Sequence, residues 1–367
     1  HGKIGRTEFD IDMNYYLGKN PAIRKRDNHI GLMANYIDFD QLFNFNFSQS
    51  GQLAESSAAV PKEMISKHDD AFNLYELPFT DMTIDVDIGH FIYHRIDLQN
   101  IHSRLRTTQN HYIYVDTIDL KAANGEVRMS GYFNGSDPRH IYLSPKLKFK
   151  NVEMDKLLFK FENFGQDAIV SENLHGKLTA DITGKIRMYP DMVPDLDQSE
   201  IHMDIQVLDG SLENYNYMLM LSDYMGDKDL RSVRFDTLQN HMDITNGELT
   251  IPNMTIESTL GHFELSGKQD MDLNMEYYVK IPWSVIKQGA KYTLFGKNKA
   301  QDEKQGEDEG EDEIIRADPN KKTRYLNLKI KGNIDDYKIS LGKDRNKSTR
   351  LKLSLIHISE PTRPYSI

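Results

Sequence analysis

Along most of this chain apolar and polar residues take turns, and a period of two confines the backbone to strands with one greasy and one wet face. The plainest stretch sets Met82, Ile84, Val86 and Ile88 against Thr83, Asp85 and Asp87. The rhythm recurs at Phe9/Ile11/Met13, from Ile30 into a first capped helix, at Ile92/Ile96/Leu98, from Tyr112 to Val115, and at Ile118/Leu120, Val127/Met129 and Leu147/Phe149. It continues through Leu178/Ala180/Ile182, Ile186/Met188 beyond Gly184, and Ile201/Met203/Ile205/Val207. Met242/Ile244, Leu249/Ile251, Met254/Ile256, Phe263/Leu265 and Met271/Leu273/Met275/Tyr277/Val279/Ile281 then follow at intervals of about ten residues, which predicts an antiparallel meander. Leu326/Leu328/Ile330 and Tyr337/Ile339/Leu341 predict a last pair of strands.

Two short patterns return at long range. Ile37-Asp38-Phe39-Asp40-Gln41-Leu42-Phe43 is echoed by Val152-Glu153-Met154-Asp155-Lys156-Leu157-Leu158, each reading as strand, acidic cap and short helix, with Asp40 and Asp155 accepting from the first free amides. Gly125-Glu126-Val127-Arg128-Met129-Ser130-Gly131 and Gly261-His262-Phe263-Glu264-Leu265-Ser266-Gly267 share alternation between glycine turns. Repeated supersecondary units predict a mainly β fold: an elongated, repetitive, curved antiparallel sheet forming an apolar groove, with a few short helices at strand ends.

The predicted organisation is an N-terminal strand and short-helix unit at 1–48, a linker or loop at 49–72, the main β-groove at 73–300, an acidic disordered linker at 301–321 and a terminal strand pair at 322–350. Short helices are expected between Tyr215 and Tyr224 and after Ser284, the latter carrying Val285, Ile286 and Tyr292 to Phe295. Residues 351–367 form a largely non-native tail, because Leu353 to Arg363 reads as a translated sequencing adapter.

Net charge is −11, of which Asp302 to Glu313, with eight acids and one lysine, contributes −7, leaving −4 elsewhere. That balance offers no basic stripe for a phosphate backbone, so nucleic acid is a poor partner, and no polybasic face for anionic headgroups. Cysteine is absent, which excludes thiolate catalysis, disulfides and cysteine metal sites. No stretch approaches the roughly 20 apolar residues of a membrane span.

Chemistry-bearing constellations are few. His90 and His94 have helical metal-pair spacing, but on a strand their α-carbons stand about 13 Å apart, too far for one ion. Asp85 and Asp87 share a strand face that reads as a solvated exterior rather than an acid/base pair. Asp191, Asp195 and Asp197 lack the EF-hand spacing and read as loop solubility beside Pro190 and Pro194. Trp283 is the single tryptophan, expected to pack at a strand-to-helix junction. No Gly-rich phosphate loop, HExxH or Gly-x-Ser-x-Gly occurs. The expectation is a chain with no catalytic residues, no metal and no cofactor.

Taken in order, ANGEVRMSGYF near Gly131, NVEMDKLL, HGKLTADITGKI at His175 to Ile186 and DITNGELTIPNMTIESTLGHFELSGKQDMDLNMEYYVKIP from Asp243 to Pro282 resemble the C-terminal region of AsmA-like proteins of the Bacteroidetes type. The likeness runs from about Phe79 to Leu341. It implies a periplasmic protein of the bridge-like lipid-transfer class, anchored to the inner membrane by an N-terminal helix missing from this fragment, and a phospholipid or other acyl lipid as partner.

One-sided strands support that mechanism through their need for cover. In a sandwich a second sheet supplies it. In a groove, acyl chains do. At about 0.8 kcal/mol per buried methylene, exposing a chain of about fifteen methylenes to water costs roughly 12 kcal/mol, so free diffusion of lipid is negligible and a carrier is useful. The expected lining is Ile84, Val86, Ile88, Val127, Met129, Ile182, Met203, Ile205, Val207, Met254, Ile256, Phe263, Leu265, Met271, Leu273 and Met275, with methionines adapting to disordered tails. The rival expectations are a packed core behind the same stripes, a closed β scaffold assisting outer-membrane protein assembly through sheet-edge contacts, and an envelope-glycan hydrolase using Asp85 and Asp87.

Overall fold

The computed structural model describes residues 1–4, 7–16, 28–38, 74–76, 79–93, 96–160, 172–215, 219, 230–286, 314–316, 324–333 and 336–342. Alternation becomes strand nearly everywhere it was read. The strands are β1 (Gly2–Ile4), β2 (Thr7–Asn14), β3 (His29–Asp38), β4 (Met82–Tyr93), β5 (Ile96–Thr107), β6 (Tyr112–Ala122), β7 (Gly125–Asn134) and β8 (Ile141–Glu153). They continue with β9 (Leu174–Met188), β10 (Pro194–Glu213), β11 (Ser232–Thr245), β12 (Glu248–Ser258), β13 (Gly261–Asp270), β14 (Met275–Pro282), β15 (Tyr325–Asn333) and β16 (Asp336–Leu341).

All belong to one 16-stranded open sheet whose spatial order is the sequence order. Every pairing is antiparallel except β3 with β4, which run parallel with Leu32 opposite Val86. A parallel neighbour needs a long crossover, and residues 39–81 supply it. The sheet passes without a break through the boundaries expected at 48, 72 and 322: β15 bonds along its length to β14, so the terminal pair belongs to the main sheet. Because the sheet is open, the closed form of the scaffold expectation is not met.

The connections sort by side. At one margin lie short turns, β5–β6, β7–β8, β9–β10, β11–β12, β13–β14 and β15–β16. Asn246 and Gly247 (φ 52 and 72) make the β11–β12 turn, left-handed at both positions as a two-residue hairpin requires. The opposite margin carries the long insertions, at 154–173, 214–231 and 283–324. There the helix α1 (Met154–Lys160) follows β8 directly. Asp155 falls inside its first turn rather than at its cap, where its charge still complements the helix N-terminus. The earlier copy of this motif leaves β3 at the same margin, and its helix lies outside the described residues.

The paired glycine motifs are structural equivalents. Gly131 (φ 139) faces a bulge between Val115 and Ile118 of β6, and Gly267 (φ 157) faces one between Ile251 and Met254 of β12. A Cβ at Gly131 would strike the Ser144 carbonyl, and one at Gly267 the Glu276 carbonyl, so both sites need glycine for backbone sign and for space.

Some local expectations change. Gly184 does not interrupt a strand; β9 runs through it. Asp195 and Asp197 lie in β10 rather than in a loop, and Asp195 is 9% exposed, accepting from Gln198. Within the expected disordered linker, the Ile315 backbone bridges to Ser258 and Arg316 pairs with Asp236. Trp283 opens a 3-10 turn (Trp283–Val285) and packs against a core cluster, as expected. Ser284 does not cap a helix through Val285 and Ile286: it lies inside the 3-10 turn, and Ile286 is already extended (φ −85, ψ 130). Leu219 N–H donates to the Tyr215 carbonyl at 3.1 Å; the rest of both expected helices falls outside the described residues, as do the 49–72 linker, His94 and the tail. Among the described residues no helix is long and apolar enough to cross a membrane.

Candidate functional site: a half-open apolar trough

Cross-strand partners point to the same face, so register decides who shares a surface. Starting at Ile11, successive partners are Leu32, Val86, Ser103, Ile118, Met129, Leu147, Ile182, Met203 and Met242, a straight row from β2 to β11. Apart from Ser103 it is apolar throughout. Its nine steps of about 4.8 Å give a length of roughly 43 Å. None of its members is fully buried: Ile11 is exposed and the rest are half-buried.

The rows on either side are better covered. Toward the long-insertion margin, Ala123, Val152, Leu178, Ala180, Val207 and Phe235 form a buried cluster closed over by Leu157 of α1. Toward the short-turn margin, Phe133, Ile141 and Met188 pack beneath Leu74 of the 3-10 turn Leu74–Glu76. That turn is pinned by Leu74 N–H donating to the Pro190 carbonyl at 2.9 Å and by Tyr75 Oη donating to the Gly135 carbonyl at 2.6 Å. Burial pushes the Tyr75 phenol up to about 12. The face is thus a trough with covered margins and an open apolar floor. Soluble chains rarely leave a contiguous apolar strip of this length in water without a partner for it.

The expected lining divides into three groups. Ile84, Val86, Val127, Met129, Ile182, Met203, Ile205, Ile256 and Leu265 lie on the trough face and are half-buried. Ile88, Val207, Met254, Phe263 and Met275 share that face but are buried, at 3–6% exposure, and serve as packing. Met271 and Leu273 are not on a strand: they sit in the β13–β14 turn, where Leu273 has φ 63 and Met271 is 41% exposed. Leu105, Leu147, Ile118 and Met242, absent from the expected lining, belong on the floor; the alternation that marked their neighbours marks them too.

The opposite face is a charged lattice. Arg104 holds Asp85 through two hydrogen bonds, 2.7 and 3.1 Å, and His29 Nε2 reaches the same carboxylate at 3.0 Å. Arg106 grips Asp116 the same way, Arg128 bonds Asp119, and Lys148 meets Asp181 at 2.7 Å. These guanidinium hydrogen bonds hold Asp85, Asp116 and Asp119 below the usual carboxylate range. A lowered pKa is the reverse of what a general acid at neutral pH requires. Asp87 turns to His102 instead, at 3.2 Å.

Farther along that face His202 and His241 stack at 6.4 Å between carboxylates. The Asp243 hydrogen bond raises the pKa of His202, and the Asp204 hydrogen bond that of His241. Sequence reading missed this cluster, because its members lie on two strands and meet only through register.

No family model, no curated protein and no solved structure matches this chain.

Proposed function

We propose that the chain binds the acyl tails of lipids, phospholipids foremost, along the trough, and that it supports lipid movement between inner and outer membranes as a periplasmic, AsmA-like protein. The observation that carries this reading is the row from Ile11 to Met242, apolar except for Ser103 and with no member fully buried. Each leaflet of a bilayer is about 15 Å of hydrocarbon, so a floor of roughly 43 Å exceeds two tails end to end. Headgroups remain at the open side, in water. The charged lattice behind the floor keeps the ladder soluble and its register fixed. The resemblance to AsmA-like sequences is what supports the compartment and the anchoring helix; the trough is what supports the ligand class.

The test is photocrosslinking on the full chain. Photoreactive residues at Met129, Ile182 and Met203 should capture lipid from cells and yield phospholipid in organic extracts, whereas Thr183 and Lys148, on the charged face, should not. A folded protein that yields neither lipid nor trough crosslinks refutes transport.

The edge favours a second reading. Among the described residues strand β16 pairs with β15 alone, and Tyr337 and Leu341 on it are 36% and 47% exposed. An added partner strand, from an outer-membrane protein for example, would complete it. Protein crosslinks at Tyr337 and Leu341 without lipid at Ile182 would select this reading.

A further inference from the structure

We infer that His202, His241 and Asp243 form a binding site for a divalent transition cation, zinc foremost, on the charged face over β10 and β11. The register makes a two-by-two tile in which His202 lies opposite Asp243 and Asp204 opposite His241. Asp243 Oδ1 stands 2.6 Å from His202 Nδ1 and 3.3 Å from His241 Nε2. One donor atom from each of the three residues lies within 4.8 Å of the other two. With metal–ligand bonds of about 2.0–2.2 Å, donors around a tetrahedral ion sit roughly 3.4 Å apart, so side-chain adjustments of about 1 Å complete the site.

The outer nitrogens supply an independent observation. His241 Nδ1 is 2.7 Å from Asp204 Oδ1, and His202 Nε2 is 3.2 Å from Glu200 Oε1. Metal-bound imidazoles are characteristically held in this way, by a carboxylate on the nitrogen that does not bind. It also fixes the tautomers. In neutral rings whose outer N–H groups donate to Asp204 and Glu200, the lone pairs of His202 Nδ1 and His241 Nε2 both face the Asp243 carboxylate. Lone pair against carboxylate is repulsive, and the arrangement is satisfied by a cation between them or by protons on both rings.

Charge favours the same ligand. Three carboxylates surround two imidazoles, and among the described residues the ion-pair partners of Glu200, Asp204 and Asp243 are these two histidines. Elsewhere on the sheet His29 shares its carboxylate with Arg104, which already balances it. Zinc arriving at protonated rings displaces their protons, and solvent completes the coordination, since the His202, His241 and Asp243 side chains are 45%, 50% and 32% exposed.

The experiment is calorimetric titration of zinc chloride into the full chain after chelator treatment, in two buffers of different protonation enthalpy, with thermal unfolding alongside. Zinc should bind with proton release and raise the unfolding temperature. His202→Gln with His241→Gln should abolish both effects, and His29→Gln should change neither. Asp204→Asn leaves all three ligands in place and should weaken binding at least about 10-fold through ring orientation. Absence of zinc binding by the parent chain, or unchanged affinity in either the double variant or Asp204→Asn, overturns the proposal.

Discussion

The middle of the ladder and its C-terminal end share one sequence rhythm and differ in what lies over it. On β6 to β11 the central floor residues Ile118, Met129, Leu147, Ile182, Met203 and Met242 are all half-buried. On β15 the same face is sealed, with Leu326, Leu328 and Ile330 at 0–4% exposure, and Ile281 at the end of β14 joins them at 1%, while Tyr277 and Val279 of β14 stay half-buried. The cover comes from the margin: Leu230, Leu260, Val285 and Ile286 join these strands in a single cluster, with Leu219 and Trp283 against it. Alternation specifies a greasy face, then, while residues at one margin decide whether that face is sealed or left partly open.

The sharpest way to break this contrast is truncation at both places. Leu328→Ala should cost about 3 kcal/mol, since it opens a cavity in a sealed core. Ile182→Ala on the floor should cost about 1 kcal/mol or less, since it removes partly exposed surface and leaves no enclosed void. Chemical denaturation of both variants measures the difference, and equal losses would mean that the middle is filled as tightly as the end.

Glycine substitution sharpens the comparison from another side. Gly131 belongs to the open region and Gly267 to the approach to the sealed one, yet both have positive φ and both abut a neighbouring carbonyl. Gly131→Ala and Gly267→Ala should therefore destabilise by similar amounts, about 1–3 kcal/mol each, whatever covers the face. Unequal losses would show that cover, rather than backbone, dominates there.

The smallest effect is expected on the charged side of the sealed end. Glu276 accepts from Tyr278 and from Lys329, and these bonds hold its carboxyl down to about 2. A carboxyl depressed in the folded state stabilises fully above its unfolded value near 4.5, and loses that contribution as pH falls toward about 2. Glu276→Gln should cost less than about 1 kcal/mol at pH 7, and its stability should converge with the parent's across that acid window. Thermal melts at stepped pH check it.

Much of the fold was legible because period two survives in nearly every strand, and because glycine at Gly125 and Gly261 marks where strands start. Legibility failed where alternation continued past its cause. Met271 and Leu273 keep the rhythm of β14, but the Asp270 side chain accepts from the Asn274 amide at 2.8 Å and closes a turn around them. The parallel step from β3 to β4 leaves no local mark, since strand direction is not written in a strand. Of the trough, lining residues were readable one strand at a time, whereas the continuity of the floor depends on pairing register. The histidine tile was unreadable for the same reason: His202 and Asp243 are far apart along the chain and adjacent only across β10 and β11.

The spatial order of the strands has one more consequence. Since the strands pair in sequence order, stability accumulates mainly between nearest neighbours along the sheet. Such a ladder has modular length. Duplicating one hairpin adds about 10 Å of span and disturbs only the two junctions it is spliced between, so the sheet can change its length without redesigning a core.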